Sequence, residues 1–333
     1  MLVRRWSAIA VTGLVLSMVG VACTDVESSS PGDGGDTGGT KPGTGITVKL
    51  AVNPWTGAAV NANVAAAILE GELGYTVELV EVDEFVQFPS LSDGSLDATL
   101  EVWPSGHADD YATYIEGDGS VVDAGPLGAV GKIDWYVPTF MLDENPELAT
   151  WEGLNENAEL FATAETEPKG QFLLGDPSYV SFDAQIIENL GLDFVVVTGG
   201  SEATLVTSIE RAIENGEPLL LYMYTPHWVH NEYDLSVVEL PAYTDECAAA
   251  AAEEGAAGYA CEYPEDVLYK ALSAQLEDKA PEAFEFLSNM NYTNEIQATI
   301  AKQIDVEGED AADAAQAWVD ANEDVWSAWL PAA

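Results

Sequence analysis

Basic residues are scarce in this 333-residue chain, which has 10 Lys and Arg against 58 Asp and Glu and a formal net charge of −48. A surface with so few cationic side chains repels the phosphates of nucleic acids and raises the local concentration of cations. The composition therefore excludes nucleic acid as a partner. It suits a protein that works in a salty medium, where screening weakens the repulsion between its own carboxylates.

Cysteine is also rare, with Cys23 near the amino terminus and only Cys247 and Cys261 beyond it. Because the leader segment described below predicts export, we expect these last two cysteines to form a disulfide. It would close a loop of about fifteen residues and contribute on the order of 3 kcal/mol to stability. No His lies near them in the sequence, which disfavours a metal site at this point.

The chain contains neither a nucleophile elbow nor an H-E-x-x-H sequence, which are two motifs of hydrolases. His227 and His230 are spaced i, i+3 with Glu232 nearby, a pattern that is compatible with metal ligation. In a chain with 58 acidic residues a neighbouring Glu carries little information. A metal-dependent hydrolase is therefore kept only as an alternative, and we expect no enzymatic activity, no metal and no cofactor.

The amino terminus reads as an export signal followed by a tether. Residues 1–22 have a basic start, an apolar run over residues 8–18 and small residues that lead to Cys23, which indicates a secretory signal too short for a stable membrane span. Cys23 resembles the cysteine of a bacterial lipobox, which is diacylated and becomes the first mature residue. Residues 23–45 are rich in Ser, Gly, Asp and Thr and predict a flexible tether. We expect an exported protein, anchored through lipid on Cys23 at the outer face of the cell membrane or in the periplasm.

Beyond residue 45 the sequence alternates between strand and helix patterns, as an α/β fold requires. Strands are predicted at 46–52, 76–82, 96–102, 135–140, 172–174, 194–198, 218–224 and 236–240. Helices are predicted at 58–70, 182–190 and 205–213, and the chain from Pro264 onward is predicted to be mainly helical, with segments at 282–289, 294–304 and 310–330.

Four of the predicted strands end in a loop that places an aromatic residue close to a proline. The aromatic residues are Trp55, Trp103, Tyr179 and Tyr224, and the prolines are Pro54, Pro104, Pro177 and Pro226. In open α/β sheets ligands bind at the carboxyl ends of the strands. Two rings come from each half of the chain, so a cleft between the halves would surround a guest with ring faces, which attract cations.

The residues of these loops carry a family resemblance. The segment at 216–232, G-E-P-L-L-L-Y-M-Y-T-P-H-W-V-H-N-E, is similar to one in the extracytoplasmic substrate-binding proteins of glycine betaine, proline betaine and choline ABC importers. Trp103-Pro104 with His107, and the loop from Asp176 to Tyr179, also resemble loops of that family. The resemblance extends from about residue 46 to residue 330.

This resemblance implies a ligand site with two parts. The rings of an aromatic cage for a trimethylammonium group would be Trp55, Trp103, Tyr179 and Tyr224. A ligand carboxylate would be bound by His107 and by the backbone N–H groups of Val180 and Ser181. A helix that begins at Ser181 or Phe182, with Ser181 as its N-cap, would direct free N–H groups and a positive dipole end at that carboxylate.

The resemblance also implies a two-lobed periplasmic-binding-protein fold of type II with the ligand cleft between the lobes. Lobe I would comprise 46–137 and, with a helical carboxyl terminus, 244–333, and lobe II would comprise 138–243. The protein would be a monomer that captures a quaternary-ammonium osmolyte such as glycine betaine and delivers it to the permease of an ABC importer. Choline, carnitine and a sulfonium osmolyte remain alternative ligands.

Overall fold

The computed structural model describes residues 41–251 and 254–332. The predicted signal segment, Cys23 and nearly all of the predicted tether lie outside the described residues. None of the helices described is both long enough and apolar enough to cross a membrane.

Nine strands form one mixed sheet. They are Thr47–Val52 (β1), Thr76–Glu81 (β2), Ala98–Val102 (β3), Val121–Pro138 (β4), Gly170–Leu174 (β5), Phe194–Thr198 (β6), Leu221–Thr225 (β7), Leu235–Val237 (β8) and Glu265–Ser273 (β9). Their order is β2-β1-β3-β9-β4-β7-β5-β6, and β8 pairs with β4 outside this path. The α-helices of the described residues flank this sheet.

The bounds of these helices follow in chain order. They are Thr56–Ile68 (α1), Gln87–Ser92 (α2), Ala108–Asp110 (α3), Thr139–Glu144 (α4), Trp151–Glu156 (α5), Asp183–Leu190 (α6), Glu202–Asn215 (α7), Val229–Glu232 (α8), Asp245–Ala251 (α9), Leu276–Lys279 (α10), Pro281–Asn289 (α11), Asn294–Asp305 (α12), Ala311–Ala321 (α13) and Glu323–Trp326 (α14).

The long strand β4 joins two groups of strands. Its first part pairs antiparallel with β9, and its residues 132–136 pair antiparallel with β7. On one side β1 is parallel to both β2 and β3, and on the other side β5 is parallel to both β6 and β7. Carboxyl ends of parallel strands meet at one edge of a sheet, so each group brings its own strand-end loops together.

The carboxyl-terminal part departs from the mainly helical prediction at β9. This strand lies near the middle of the sheet, between β3 and β4. Its sequence E-D-V-L-Y-K-A-L-S has the composition of a helix, but most of its residues are buried. Beyond it, α12 and α13 pack against α1 and return the chain to the first group of strands. The predicted helix over 310–330 is interrupted at Asn322, which lies between α13 and α14.

Candidate functional site

The four predicted cage rings lie around one cavity. Trp55 follows β1, Trp103 follows β3, Tyr179 follows β5, and Tyr224 lies in β7. The lining consists of Trp55, Glu84, Trp103, Ser105, Gly106, Ile133, Tyr179, Val180, Tyr222 and Tyr224. The space between these side chains, counted together with its opening to solvent, is about 370 Å³.

The rings stand at steep angles to one another. Trp103 and Tyr224 make an edge-to-face contact with centroids 5.5 Å apart and an interplanar angle of 83°. Trp55 and Tyr179 make a second such contact at 6.0 Å and 75°. Tyr222 completes the group, with its centroid 5.7 Å from that of Tyr179. Rings arranged in this way present several π-faces to a single guest.

Trp103 lies directly over strand β4 at Gly131. A Cβ atom built at Gly131 would be 2.3 Å from Cζ3 of Trp103 and 2.5 Å from Cη2. Any larger residue at this position would therefore displace the indole. Gly131 is the structural reason that Trp103 can lie flat enough to line the cavity.

A single buried carboxylate holds both tryptophans. Glu101, in β3, accepts hydrogen bonds at Oε1 from Nε1 of Trp55 (2.9 Å) and from Nε1 of Trp103 (3.2 Å). At Oε2 it accepts from Nδ2 of Asn61 and Nε2 of Gln297. Burial raises the pKa of Glu101 to about 7, against the opposing effect of the hydrogen bonds. The two indoles are thus fixed to a buried carboxyl group whose pKa lies well above its usual range.

A second buried carboxylate connects the two groups of strands. Glu202, at the start of α7, accepts hydrogen bonds from the Tyr224 hydroxyl and, at Oε2, from the Thr56 backbone N–H (2.7 Å). His227 Nε2 lies 3.2 Å from its Oε1. Burial favours the neutral form, but the interactions with His227 and Tyr224 outweigh it and lower the pKa of Glu202. Glu202 is therefore ionised and ties Tyr224 to the beginning of α1.

Two of the three donors that the resemblance assigns to a ligand carboxylate, the His107 ring and the Val180 N–H, are engaged by a carboxylate of the chain itself. Glu84 accepts the Val180 N–H at Oε2 (2.8 Å) and Nε2 of His107 at Oε1 (3.1 Å). Nδ1 of His107 donates to Oδ2 of Asp110 at 2.8 Å. Burial alone would lower the pKa of His107, but Asp110 and Glu84 together raise it to about 9. The arrangement is a protonated imidazole between two carboxylates.

The helix expected to begin at Ser181 or Phe182, with Ser181 as its N-cap, begins one residue later than the second of these positions. The helix α6 begins at Asp183, with Phe182 at its N-cap position and no side-chain cap. Asp183 accepts a hydrogen bond from Nε1 of Trp135 at 2.7 Å, and the Phe182 N–H donates one to the Tyr263 hydroxyl at 2.6 Å. The N–H group of Phe182 is therefore satisfied from within the protein.

An insertion, the segment between β8 and β9, packs against this loop. Cys247 and Cys261 form a disulfide bond. Tyr259, inside the loop that the disulfide closes, and Tyr263, just after it, pack their rings on Phe182 with centroids 4.3 Å and 5.8 Å away. The insertion therefore fixes the segment that carries Tyr179 and Val180 into the cavity.

The structure gives no support to the metal-site alternative at His227, His230 and Glu232. His230 Nε2 is bonded to the Tyr224 carbonyl oxygen at 2.9 Å, whereas His227 faces Glu202. Glu232 forms an ion pair with Lys302. Each of the three side chains therefore has a partner of its own.

Tyr222, Glu101 and Glu84 are among the site residues that were not predicted. Tyr222 lies two residues before Tyr224 in β7, so both side chains emerge on the same face, a signal that the sequence contains. Glu101 stands out as an acid between apolar residues of β3. Glu84 follows β2 in a short 3₁₀ turn, and nothing local distinguishes it from the other acidic residues.

The family comparison agrees with this geometry. A family model for the substrate-binding domain of ABC-type glycine betaine transport systems matches residues 46–321. The chain belongs to this family. As a glycine betaine-type substrate-binding domain it is a member of an extracytoplasmic class of proteins that serve ABC importers.

Relatives of this substrate-binding domain cover most of its length. The trimethylamine N-oxide-binding protein of Pelagibacter ubique (strain HTCC1062) is 25% identical over 287 residues, which are 84% of this chain and 89% of that protein. The glycine betaine/L-proline-binding protein ProX of Borrelia burgdorferi has a TM-score of 0.70 at 19% identity and covers 86% and 97% of the two chains. A choline-binding protein of an ABC transporter, solved with choline, has a TM-score of 0.68 at 20% identity, covering 85% and 91%. The predicted two-lobed α/β fold of type II is confirmed by these likenesses.

Proposed function

We propose that this binding protein captures a small methylated ammonium compound in the aromatic cage and delivers it to the permease of an ABC importer. The observation that carries the proposal is the convergence of five rings, those of Trp55, Trp103, Tyr179, Tyr222 and Tyr224, on one cavity. A cation over such faces gains about 1 to 2 kcal/mol per desolvated ring. Several rings together therefore suffice for micromolar affinity, about −8 kcal/mol.

The charge around the rings supports a cationic guest. Glu84 lines the cavity, and the ionised Glu202 and partly ionised Glu101 lie directly behind the rings that they hold. Among the described lining residues none is Lys or Arg. The site therefore has a negative potential, which stabilises a cation and repels an anion.

Three of the ligands named for these relatives share one chemical group. Trimethylamine N-oxide, glycine betaine and choline each carry a methylated nitrogen, whereas L-proline, also named for ProX, does not. A cage that recognises the methylated nitrogen fits the first three. The role of a binding protein requires no reaction, so we infer that the chain is not an enzyme and works as a monomer. The Cys23 lipid anchor expected from the sequence would hold it close to the permease.

Titration of the protein with tetramethylammonium tests the cage directly, because this ion has the methylated nitrogen and no second functional group. We expect binding to the wild type and a loss of about 1 to 3 kcal/mol in Trp103→Ala, measured by calorimetry. Tyr179→Phe keeps the ring face and serves as the matched control, with a much smaller loss. The proposal fails if tetramethylammonium, choline, trimethylamine N-oxide and glycine betaine all leave the protein unbound.

A further inference from the structure

The carboxylate of Glu84 lies in the cavity and contacts two of the donors that the family resemblance assigns to the carboxylate of a ligand. Its side chain is only 7% exposed, and its two oxygens divide between the Val180 N–H and the His107 ring. These contacts bring together residues from both sides of the cavity, since Val180 follows β5 and His107 follows β3. A backbone N–H and an imidazolium are the kind of donors that bind a carboxylate strongly.

A second carboxylate in this space would meet Glu84 as a like charge. Two carboxylates that share one buried site do not both remain ionised, because each charge raises the pKa of the other group. The described residues of the lining offer no Lys or Arg to balance the second charge. A zwitterion such as glycine betaine therefore has to displace Glu84 or bind with its own carboxylate unsatisfied.

We propose that Glu84 is a specificity residue that takes the place of the ligand's carboxylate, so that the site prefers methylated ammonium cations without one. A hydroxyl on the ligand, as in choline, would donate to the free lone pairs of Glu84. This inference rests on the proposed function, since it concerns the second half of the same site.

The test compares choline, tetramethylammonium and glycine betaine by calorimetry on the wild type and on Glu84→Ala. We expect the wild type to bind choline at least about tenfold more tightly than glycine betaine. In Glu84→Ala the Val180 N–H and His107 become available, so glycine betaine should gain about tenfold and choline should weaken. Asp83→Ala is the matched control, because Asp83 is exposed and precedes Glu84 by one residue. It should leave the preference unchanged.

Glu84→Gln supplies a second readout that does not depend on ligand. Removal of the Glu84 charge should lower the pKa of His107, observed as the pH dependence of its imidazole resonances, while Asp83→Ala should not move it. Wild-type binding of glycine betaine as tight as that of choline, or an unchanged ratio in Glu84→Ala, would overturn the inference and leave the cage function intact. Absence of binding by all three compounds would instead overturn the proposed function, and the inference with it.

Discussion

Gly131 shows how a residue without a side chain shapes the cage. We expect Gly131→Ala to weaken tetramethylammonium binding by about 1 to 2 kcal/mol, the contribution of one ring, because the added methyl group would displace the Trp103 indole. Calorimetry on the variant gives the loss. Gly71→Ala adds the same methyl group where no atom lies within 4 Å and should bind like the wild type. Equal affinities for Gly131→Ala and the wild type would show that Trp103 tolerates displacement.

At the same scale, the sequence reveals some site residues better than others. Trp103 and Tyr224 could be predicted because a proline and a strand end mark their positions. Glu84 could not, because its role depends on contacts with Val180 and His107, which are 96 and 23 residues away along the chain. The role proposed for Glu84 comes from such distant partners, and no local pattern distinguishes this residue from the other acids among the 58.

Among the elements, β9 shows why a strand can be missed. Its residues include Glu, Lys, Ala and Leu, which favour helices, yet it pairs with neighbours on both sides. Lys270 lies in its middle with 1% exposure and donates through Nζ to the Ser288 and Met290 carbonyl oxygens. A buried lysine satisfied by distant carbonyl groups is a tertiary feature, so composition alone favoured the wrong element.

The disulfide-closed insertion allows a prediction at the level of elements. We expect the double variant Cys247→Ala with Cys261→Ala to lower the free energy of unfolding by about 3 kcal/mol, as a loop of this length predicts. It should also weaken cation binding, because Tyr259 and Tyr263 would hold the Phe182 segment less firmly. Urea unfolding and calorimetry measure the two effects. A large loss of stability with full affinity would show that the cage is independent of the insertion.

For the whole molecule, buried ionisable groups predict how stability depends on pH. Burial raises the pKa of Glu101 to about 7. It also raises the pKa values of Asp134, Asp183 and Asp266 to about 6, although hydrogen-bond or ionic partners of these groups act in the opposite direction. A carboxyl group whose pKa is raised on folding stabilises the protein fully at pH values below the pKa of that group in the unfolded chain, about 4. This contribution is lost as the pH rises through the pKa of the group in the folded protein. His107 acts in the same direction, because its contribution is complete below about 6.5 and is lost as pH rises through about 9.

We therefore expect a higher melting temperature near pH 5 than near pH 8, above which deprotonation of Lys270, whose pKa burial lowers to about 8, acts in the opposite direction. The difference should be several degrees, since about 1 kcal/mol corresponds to ~2–4 °C in proteins of moderate size. Calorimetric scans across this range provide the measurement. His107→Gln should flatten the part of the curve above about pH 6.5. A melting temperature that rises steadily with pH would contradict this assignment.

Glu101 also connects the cage to the acidity of the medium. A cation seated against Trp55 and Trp103 favours the ionised form of the carboxyl group that both indoles share, so its pKa falls when the site fills. Near neutrality the arriving guest therefore expels a fraction of a proton. The heat of association then includes the ionisation heat of the buffer, and affinity increases with pH through this range. Under the proposed function, cation binding would therefore be coupled to the proton concentration of the medium through Glu101, which is not among the residues that line the cavity.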